Sequence, residues 1–209
     1  MFSGIIQQKG HIKCLSSNFQ NRTHYKKSAG KQILIICNLK NFAKLSIGES
    51  IAIDGVCLTV INKTKQGFIV DVSPETIAIC QKNMFIENKN SVNLERAMRY
   101  GDFVGGHLVS GHIDGVGKVI KIKKNKEFTN MVFKVPRKLK RFMVIKGCIA
   151  VNGVSLTVNK VTNNKFSVML IPHTLKETNL GELKVGHLVN LESDLLARYL
   201  INNQKNNSK

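Results

Sequence analysis

The stretch Ile51-Ala52-Ile53-Asp54-Gly55-Val56-Cys57-Leu58-Thr59-Val60 decides the fold, because it returns as Ile149-Ala150-Val151-Asn152-Gly153-Val154-Ser155-Leu156-Thr157-Val158. An Asp-Gly or Asn-Gly pair between apolar, β-branched runs is the signature of a hairpin closed by a type I′ turn. The same offset carries Phe68 onto Phe166, Pro74 onto Pro172 and Thr76 onto Thr174, and Val92-Asn93-Leu94-Glu95 returns as Val189-Asn190-Leu191-Glu192. A fainter echo pairs Ser3-Gly4-Ile5-Ile6 with Ser110-Gly111-His112-Ile113. The 209 residues therefore read as one module written twice, over 1–97 and 98–192, followed by a tail over 193–209.

Each module reads as β, with short strands, frequent turn signals and no helical periodicity, which is the pattern of a small barrel. Residues Ser193 to Ile201 carry apolar side chains at helical spacing and have no partner within the repeat. They are expected to form a C-terminal helix that packs on sister subunits, with Asn202 to Lys209 frayed. Within the first hairpin Ile51, Ile53, Leu58 and Val60 face one way, as a core requires. Ser50, Ala52, Cys57 and Thr59 face the other way. Cys148, Ala150, Ser155 and Thr157 repeat this small, mildly polar face, which suits a planar heteroaromatic ligand better than it suits bulk solvent.

Hydrophobic residues make up 43% of the chain, enough for a well-formed core. The five cysteines are an odd number with no CxxC pair, which argues against a disulfide framework or a zinc knuckle and for a reducing cytoplasm. No stretch resembles a membrane span or a signal peptide. The net charge of +19 would ordinarily point to a nucleic acid. Yet the lysines are spread along the chain, and the densest runs, Lys121 to Lys126 and Arg137 to Arg141, lack the interleaved aromatic residues that stack bases. Nucleic-acid binding is not expected.

Met1-Phe2-Ser3-Gly4-Ile5-Ile6, Gly105-Gly106-His107-Leu108-Val109-Ser110-Gly111-His112-Ile113-Asp114-Gly115, the two hairpins and Asp194-Leu195-Leu196-Ala197-Arg198-Tyr199 follow one another in the order of a known pattern. The chain resembles the riboflavin synthase α-chain family from residue 1 to about residue 200. The resemblance implies an all-β fold of tandem six-stranded Greek-key barrels with a C-terminal α-helix. It implies a homotrimer joined through those helices, with the active site between the first barrel of one subunit and the second barrel of a neighbour. The substrate would be 6,7-dimethyl-8-ribityllumazine, one molecule per barrel, and no metal or redox cofactor would be needed.

The family's catalytic positions fall on Ser50, Cys57 and His112. Histidine exchanges protons near neutral pH, and either Ser50 or Cys57 could supply or orient a nucleophile. His112 has Ile5 as its repeat mate, whereas Ser50 and Cys57 have Cys148 and Ser155, the same residue types exchanged. Ligand contacts carried over by the resemblance fall on Gly4-Ile5-Ile6, Ala52, Cys57-Leu58-Thr59, Asp71-Val72-Ser73-Pro74-Glu75-Thr76 and Gly111-His112-Ile113 for the first barrel. For the second they fall on Lys146, Asn152, Ser155-Leu156-Thr157 and Ile171-Pro172-His173-Thr174-Leu175-Lys176. His107 reads as a turn residue outside the catalytic set. Asn152 stands where many relatives carry aspartate, and Ile77 to Asn83 departs from the family's Arg-Thr-Asn-Leu-Gly pattern. The competing reading is a lumazine- or flavin-binding antenna protein of the same fold, against which the retained Ser50, Cys57 and His112 count.

Overall fold

The computed structural model describes residues 1–15, 30–38, 40, 42, 44–81, 84–85 and 87–206. The first module runs β1 (Gln8–Cys14), β2 (Lys31–Ile36), β3 (Ser50–Ile53), β4 (Val56–Thr64), β5 (Gly67–Val72), α1 (Pro74–Ile79) and β6 (Lys89–Arg96). Its strands close into a barrel in the order β1-β2-β5-β4-β3-β6. The second module runs β7 (Gly115–Asn125), β8 (Phe128–Lys134), β9 (Cys148–Val151), β10 (Val154–Thr157), β11 (Lys160–Thr162), β12 (Lys165–Leu170), α2 (Pro172–Glu177) and β13 (Leu188–Ser193). Its order, β10-β9-β13-β7-β8-β12-β11, goes round the same circuit.

The six strands expected of the second barrel appear as seven because one of them is interrupted. Between β10 and β11 the chain changes partner, with Val158 N donating to Gly147 O at 2.9 Å and Asn159 N to Ser167 O at 2.8 Å. The circuit is thus completed by continuity of the chain itself. In the first barrel a register shift between Val60 and Asn62 lets β4 make the same change of partner unbroken.

Both hairpins form as read. Ser50 lies opposite Thr59 and Ala52 opposite Cys57, while Cys148 lies opposite Thr157 and Ala150 opposite Ser155. Asp54 and Gly55 take φ of 46° and 79°, and Asn152 and Gly153 take 46° and 78°, as a type I′ turn requires. Ile51, Ile53, Leu58 and Val60 enter the first core, and Ile149, Val151, Leu156 and Val158 the second.

The two turns meet back to back. A methyl group on Gly55 would lie 2.7 Å from Gly153 N, and one on Gly153 2.8 Å from Gly55 N, so side chains are excluded at both. Around this contact is a buried polar seam with near-twofold symmetry. Asn93 N donates to Asp54 Oδ1 at 2.8 Å and Asn190 N to Asn152 Oδ1 at 2.9 Å. Asn93 Nδ2 donates to Asn152 O at 2.9 Å and Asn190 Nδ2 to Asp54 O at 3.0 Å. Asn179 N then donates to Asn93 Oδ1 at 2.7 Å, and Gln81 N, from its repeat mate, to Asn190 Oδ1 at 2.8 Å. Buried polar groups are tolerated when each finds a partner, and this seam fixes the two barrels in one arrangement.

The structure has helices that the sequence reading lacked. α1 starts at Ser73, whose Oγ accepts from Thr76 N at 3.1 Å, with Pro74 in the first turn, and α2 begins at Pro172 in the same place of the second module. At the C-terminus, α3 spans Leu195–Asn206. It continues past the expected fraying point at Asn202, and residues 207–209 of the expected frayed tail lie outside the described residues, as do Lys82 and Asn83 of the divergent segment.

Candidate active site

Each module sends its leading segment across to the other barrel. Phe2 and Val109 pair as an antiparallel bridge, with N–H···O distances of 2.8 and 3.0 Å, and strap the two crossings together. A buried carboxylate anchors each one. Glu95 accepts from Ser3 N at 2.7 Å, Ser3 Oγ at 2.9 Å and Gly4 N at 3.1 Å. Its repeat mate Glu192 accepts from Ser110 N at 2.7 Å, Ser110 Oγ at 2.6 Å and Gly111 N at 2.9 Å. Burial pushes the Glu95 carboxyl above the usual carboxylate range, against the lowering pull of the Ser3 and Gly4 donors.

The crossings end on the two hairpins. Cys57 N donates to Gly111 O at 2.9 Å, and Ser155 N donates to Gly4 O at 2.8 Å. Gly111 (φ 84°) would place a methyl group 2.5 Å from Cys57 Cβ, and Gly4 (φ 75°) would place one 2.6 Å from Ser155 Cβ, so only glycine fits at either contact. His112 therefore stands at the first hairpin, and Ile113 enters the first core. Gly4, Ile5 and Ile6 stand at the second hairpin, with Ile6 packed on the second core. The expectation that Gly4-Ile5-Ile6 serves the first barrel is thus corrected. The barrel it leads is not the barrel it touches.

The first half-site holds Ser50 and Cys57, both half-buried, exposed Thr59 on the same face, and exposed His112. Leu58 turns into the core behind them. The second half-site holds half-buried Cys148 and Ser155 and exposed Thr157, with Leu156 behind. His107 Nδ1 lies 2.7 Å from Ser155 Oγ. The imidazole is buried, and its Nε2 has no partner among the described residues. Burial lowers the His107 pKa below the usual histidine value, against the raising effect of Asp194, and burial likewise pushes the Cys148 thiol up. Sequence reasoning passed over His107. The signal was the preceding glycine pair, since a methyl group on Gly106 would lie 2.7 Å from Ser155 Oγ and closer still to Ser3 O, so a side chain is excluded there.

The lumazine-binding domain model matches residues 3–97 and 110–194, the two modules with their leading segments. A riboflavin synthase of Photobacterium phosphoreum is 38% identical over 200 residues, covering 96% of this chain and 87% of that one. One of Bacillus subtilis is 38% identical over 200 residues, with coverage of 96% and 88%. One of Chlamydia muridarum is 39% identical over 199 residues, covering 95% and 92%. The chain belongs to the riboflavin synthase family. Crystal structures of LumP, complexed with riboflavin (TM-score 0.80) and with 6,7-dimethyl-8-(1'-D-ribityl) lumazine (TM-score 0.77), are 24% identical and cover 92% of this chain and 99% of theirs. They show that the fold is shared.

Not every position carried over from the riboflavin synthase family reaches an open face. Ala52 is buried between the barrels with Phe2, Val109 and Ala150. Asn152 is 1% exposed. Its amide is engaged in the seam, accepting from Asn190 N at 2.9 Å and donating to Asn179 Oδ1 at 3.3 Å. Both are corrected to parts of the contact between modules. The amide also accounts for the departure from aspartate, because a carboxylate could not make that donation.

Asp71, Ser73, Pro74 and Glu75 are exposed around the start of α1, where Thr76 is half-buried and Val72 belongs to the core. Ile171, Pro172 and His173 are exposed around the start of α2, next to half-buried Thr174. Pro172, Leu175 and Lys176 also line a groove of about 770 Å³ with Lys124 and Lys184, and no residue of 50–59 or 148–157 is part of its lining. Lys146 is exposed and holds φ 67°, where its repeat mate is Gly48 at 87°.

Proposed function

We propose that this chain catalyses the dismutation of two molecules of 6,7-dimethyl-8-ribityllumazine into riboflavin and 5-amino-6-(ribitylamino)uracil, the last step of riboflavin synthesis. One observation carries the reading. A duplicated module presents two half-sites of similar shape and unequal chemistry, with an exposed His112 beside Cys57 in the first and a buried His107 on Ser155 in the second. A reaction between two identical molecules, one giving and one receiving a four-carbon unit, calls for two similar pockets with unequal chemistry.

The electron-poor lumazine ring makes one of its methyl groups acidic and an adjacent ring carbon electrophilic. His112 is placed to move a proton at the exposed rim, and Ser50 or Cys57, on the same hairpin face, to supply or orient the nucleophile. Ser155, hydrogen-bonded to His107, is the corresponding polar group in the second half-site. The atoms of two substrate molecules equal those of the two products, so the overall change needs no oxidant or reductant. Holding two rings face to face supplies much of the acceleration, since oriented neighbours contribute about 7–11 kcal/mol.

Both half-sites are open at the surface, and each is completed by the opposite half-site of another copy. The assembly is a homotrimer joined through α3, on which Leu196, Tyr199 and Leu200 are 64%, 70% and 67% exposed and line up one turn apart. The cytoplasm is the compartment that fits five free thiols. Dispersed lysines make no nucleic-acid site, and among the described residues no helix is long and apolar enough to cross a membrane.

Complementation tests this reading. His112→Gln damages only the first half-site and Ser155→Ala only the second. Trimers of either variant should turn over lumazine poorly, and subunit exchange between the two should restore sites with both halves intact. Mixed trimers no better than the separate variants would overturn the shared site.

A further inference from the structure

We infer that Arg198 is a positioning residue for His112, so that α3 sets the geometry of the first half-site as well as joining subunits. The inference rests on the proposed function in giving His112 its catalytic role. Arg198 lies on the face of α3 turned to its own chain. Its Nη2 is 3.1 Å from Asp114 Oδ2 and 3.5 Å from Glu192 Oε1, its Nε donates to Ser193 Oγ at 3.2 Å, and Nη2 reaches the carbonyl of His112 itself at 3.4 Å.

Those contacts enclose the histidine from both sides. Glu192 holds the residues before it, through Ser110 N and Gly111 N. Asp114 holds the residues after it, accepting from Ser193 N at 2.7 Å and Ser193 Oγ at 2.6 Å. One guanidinium thus lies against both carboxylates that fix the segment and offsets one of their two charges. The side chains of Arg198, Asp114 and Glu192 are 23%, 17% and 2% exposed, too sheltered for solvent to replace the missing cation. The guanidinium presents five donors in a fixed planar fork, a geometry that the compact three-donor ammonium of a lysine does not reproduce.

The other module shows that the fold does not require this lock. Gln7, the repeat mate of Asp114, accepts from Arg96 N at 3.1 Å, but the Arg96 guanidinium turns away to Glu49 at 2.7 Å. There the residue in place of His112 is Ile5. The charged lock is present on the segment that carries the histidine and replaced by a neutral amide on the segment that does not. The opposite face of α3 bears exposed Leu196, Tyr199 and Leu200. A neighbour covering that face would hold the helix, and through Arg198 the helix would hold His112.

The test uses the full chain with Arg198→Gln, Arg198→Lys and Asp114→Asn, following kcat, KM, sedimentation and amide hydrogen exchange. Arg198→Gln should keep the assembly, lower kcat about 10- to 100-fold and move KM less than about threefold, the pattern of a misplaced group rather than a lost contact. Arg198→Lys should fall between it and the parent, and Asp114→Asn should resemble it. Exchange should quicken at residues 110–114 and stay unchanged at residues 1–6. Parental kcat in Arg198→Gln would overturn the inference. So would a loss of kcat that disappears when the subunits are reassembled at high concentration, since Arg198 would then act through assembly alone. If the parent makes no riboflavin while exchange quickens at 110–114, the lock stands and the proposed reaction fails. If exchange there is unchanged, the lock fails whatever the activity.

Discussion

His107 Nδ1 and Ser155 Oγ are 2.7 Å apart, although they come from different parts of the second module, and the imidazole Nε2 has no hydrogen-bond partner among the described residues. Burial keeps this histidine neutral further into acid than a free one, whose pKa is about 6.5. The unfolded chain therefore binds a proton at this residue before the folded protein does. Stability should fall as the pH drops through about 6.5 and continue to fall until the buried pKa is reached. Denaturant unfolding of the parent and of His107→Asn between pH 7.5 and 5 checks this. The variant should show a shallower loss, and an equal or steeper one would contradict the assignment.

Lys146 supplies a second prediction. Its φ of 67° is a conformation that an L side chain adopts at a cost of about 1 kcal/mol or more, and the same place in the first module is Gly48. Such strain is retained where a side chain has work to do. Lys146→Gly should leave thermal stability unchanged or raise it by up to about 1 kcal/mol. If the lysine contacts substrate in the second half-site, the KM for lumazine should rise several-fold. A destabilised variant with parental KM would leave Lys146 without a functional part.

The proposed assembly through α3 gives a third. Leu196→Asp with Leu200→Asp places charge on the exposed stripe without touching the Arg198 face. The variant should stay folded by circular dichroism, sediment as smaller species and lose most activity at low protein concentration, because each half-site then lacks its opposite. Trimers of normal stability would place the subunit interface elsewhere.

How far the sequence was legible varied along the chain. The hairpins were readable because period-two alternation and Asp-Gly or Asn-Gly turns are local signals, and the repeat doubled each of them. The helices α1 and α2 were not, since six residues are too few to show a period and their caps are ordinary turn residues. The crossing of Met1–Ile6 onto the second barrel was also hidden. The resemblance already puts Gly111-His112-Ile113 on the first barrel, but Gly4-Ile5-Ile6 was left with the barrel that follows it in sequence, and its contact with Ser155 exists only in three dimensions. Ala52 read as part of a ligand face because its small side chain suits a ring and a barrel-to-barrel contact equally. His107 was passed over for a related reason. A histidine becomes chemically distinctive through burial and through its partner, and neither is local in sequence.

The most direct measurement is the stoichiometry of turnover. Purified protein given 6,7-dimethyl-8-ribityllumazine alone, without metal, nicotinamide or flavin additives, should yield one riboflavin and one 5-amino-6-(ribitylamino)uracil for every two substrate molecules consumed, resolved by chromatography with absorbance detection. Tight binding of lumazine with persistent fluorescence and no riboflavin would show an antenna-type binding protein and contradict the account.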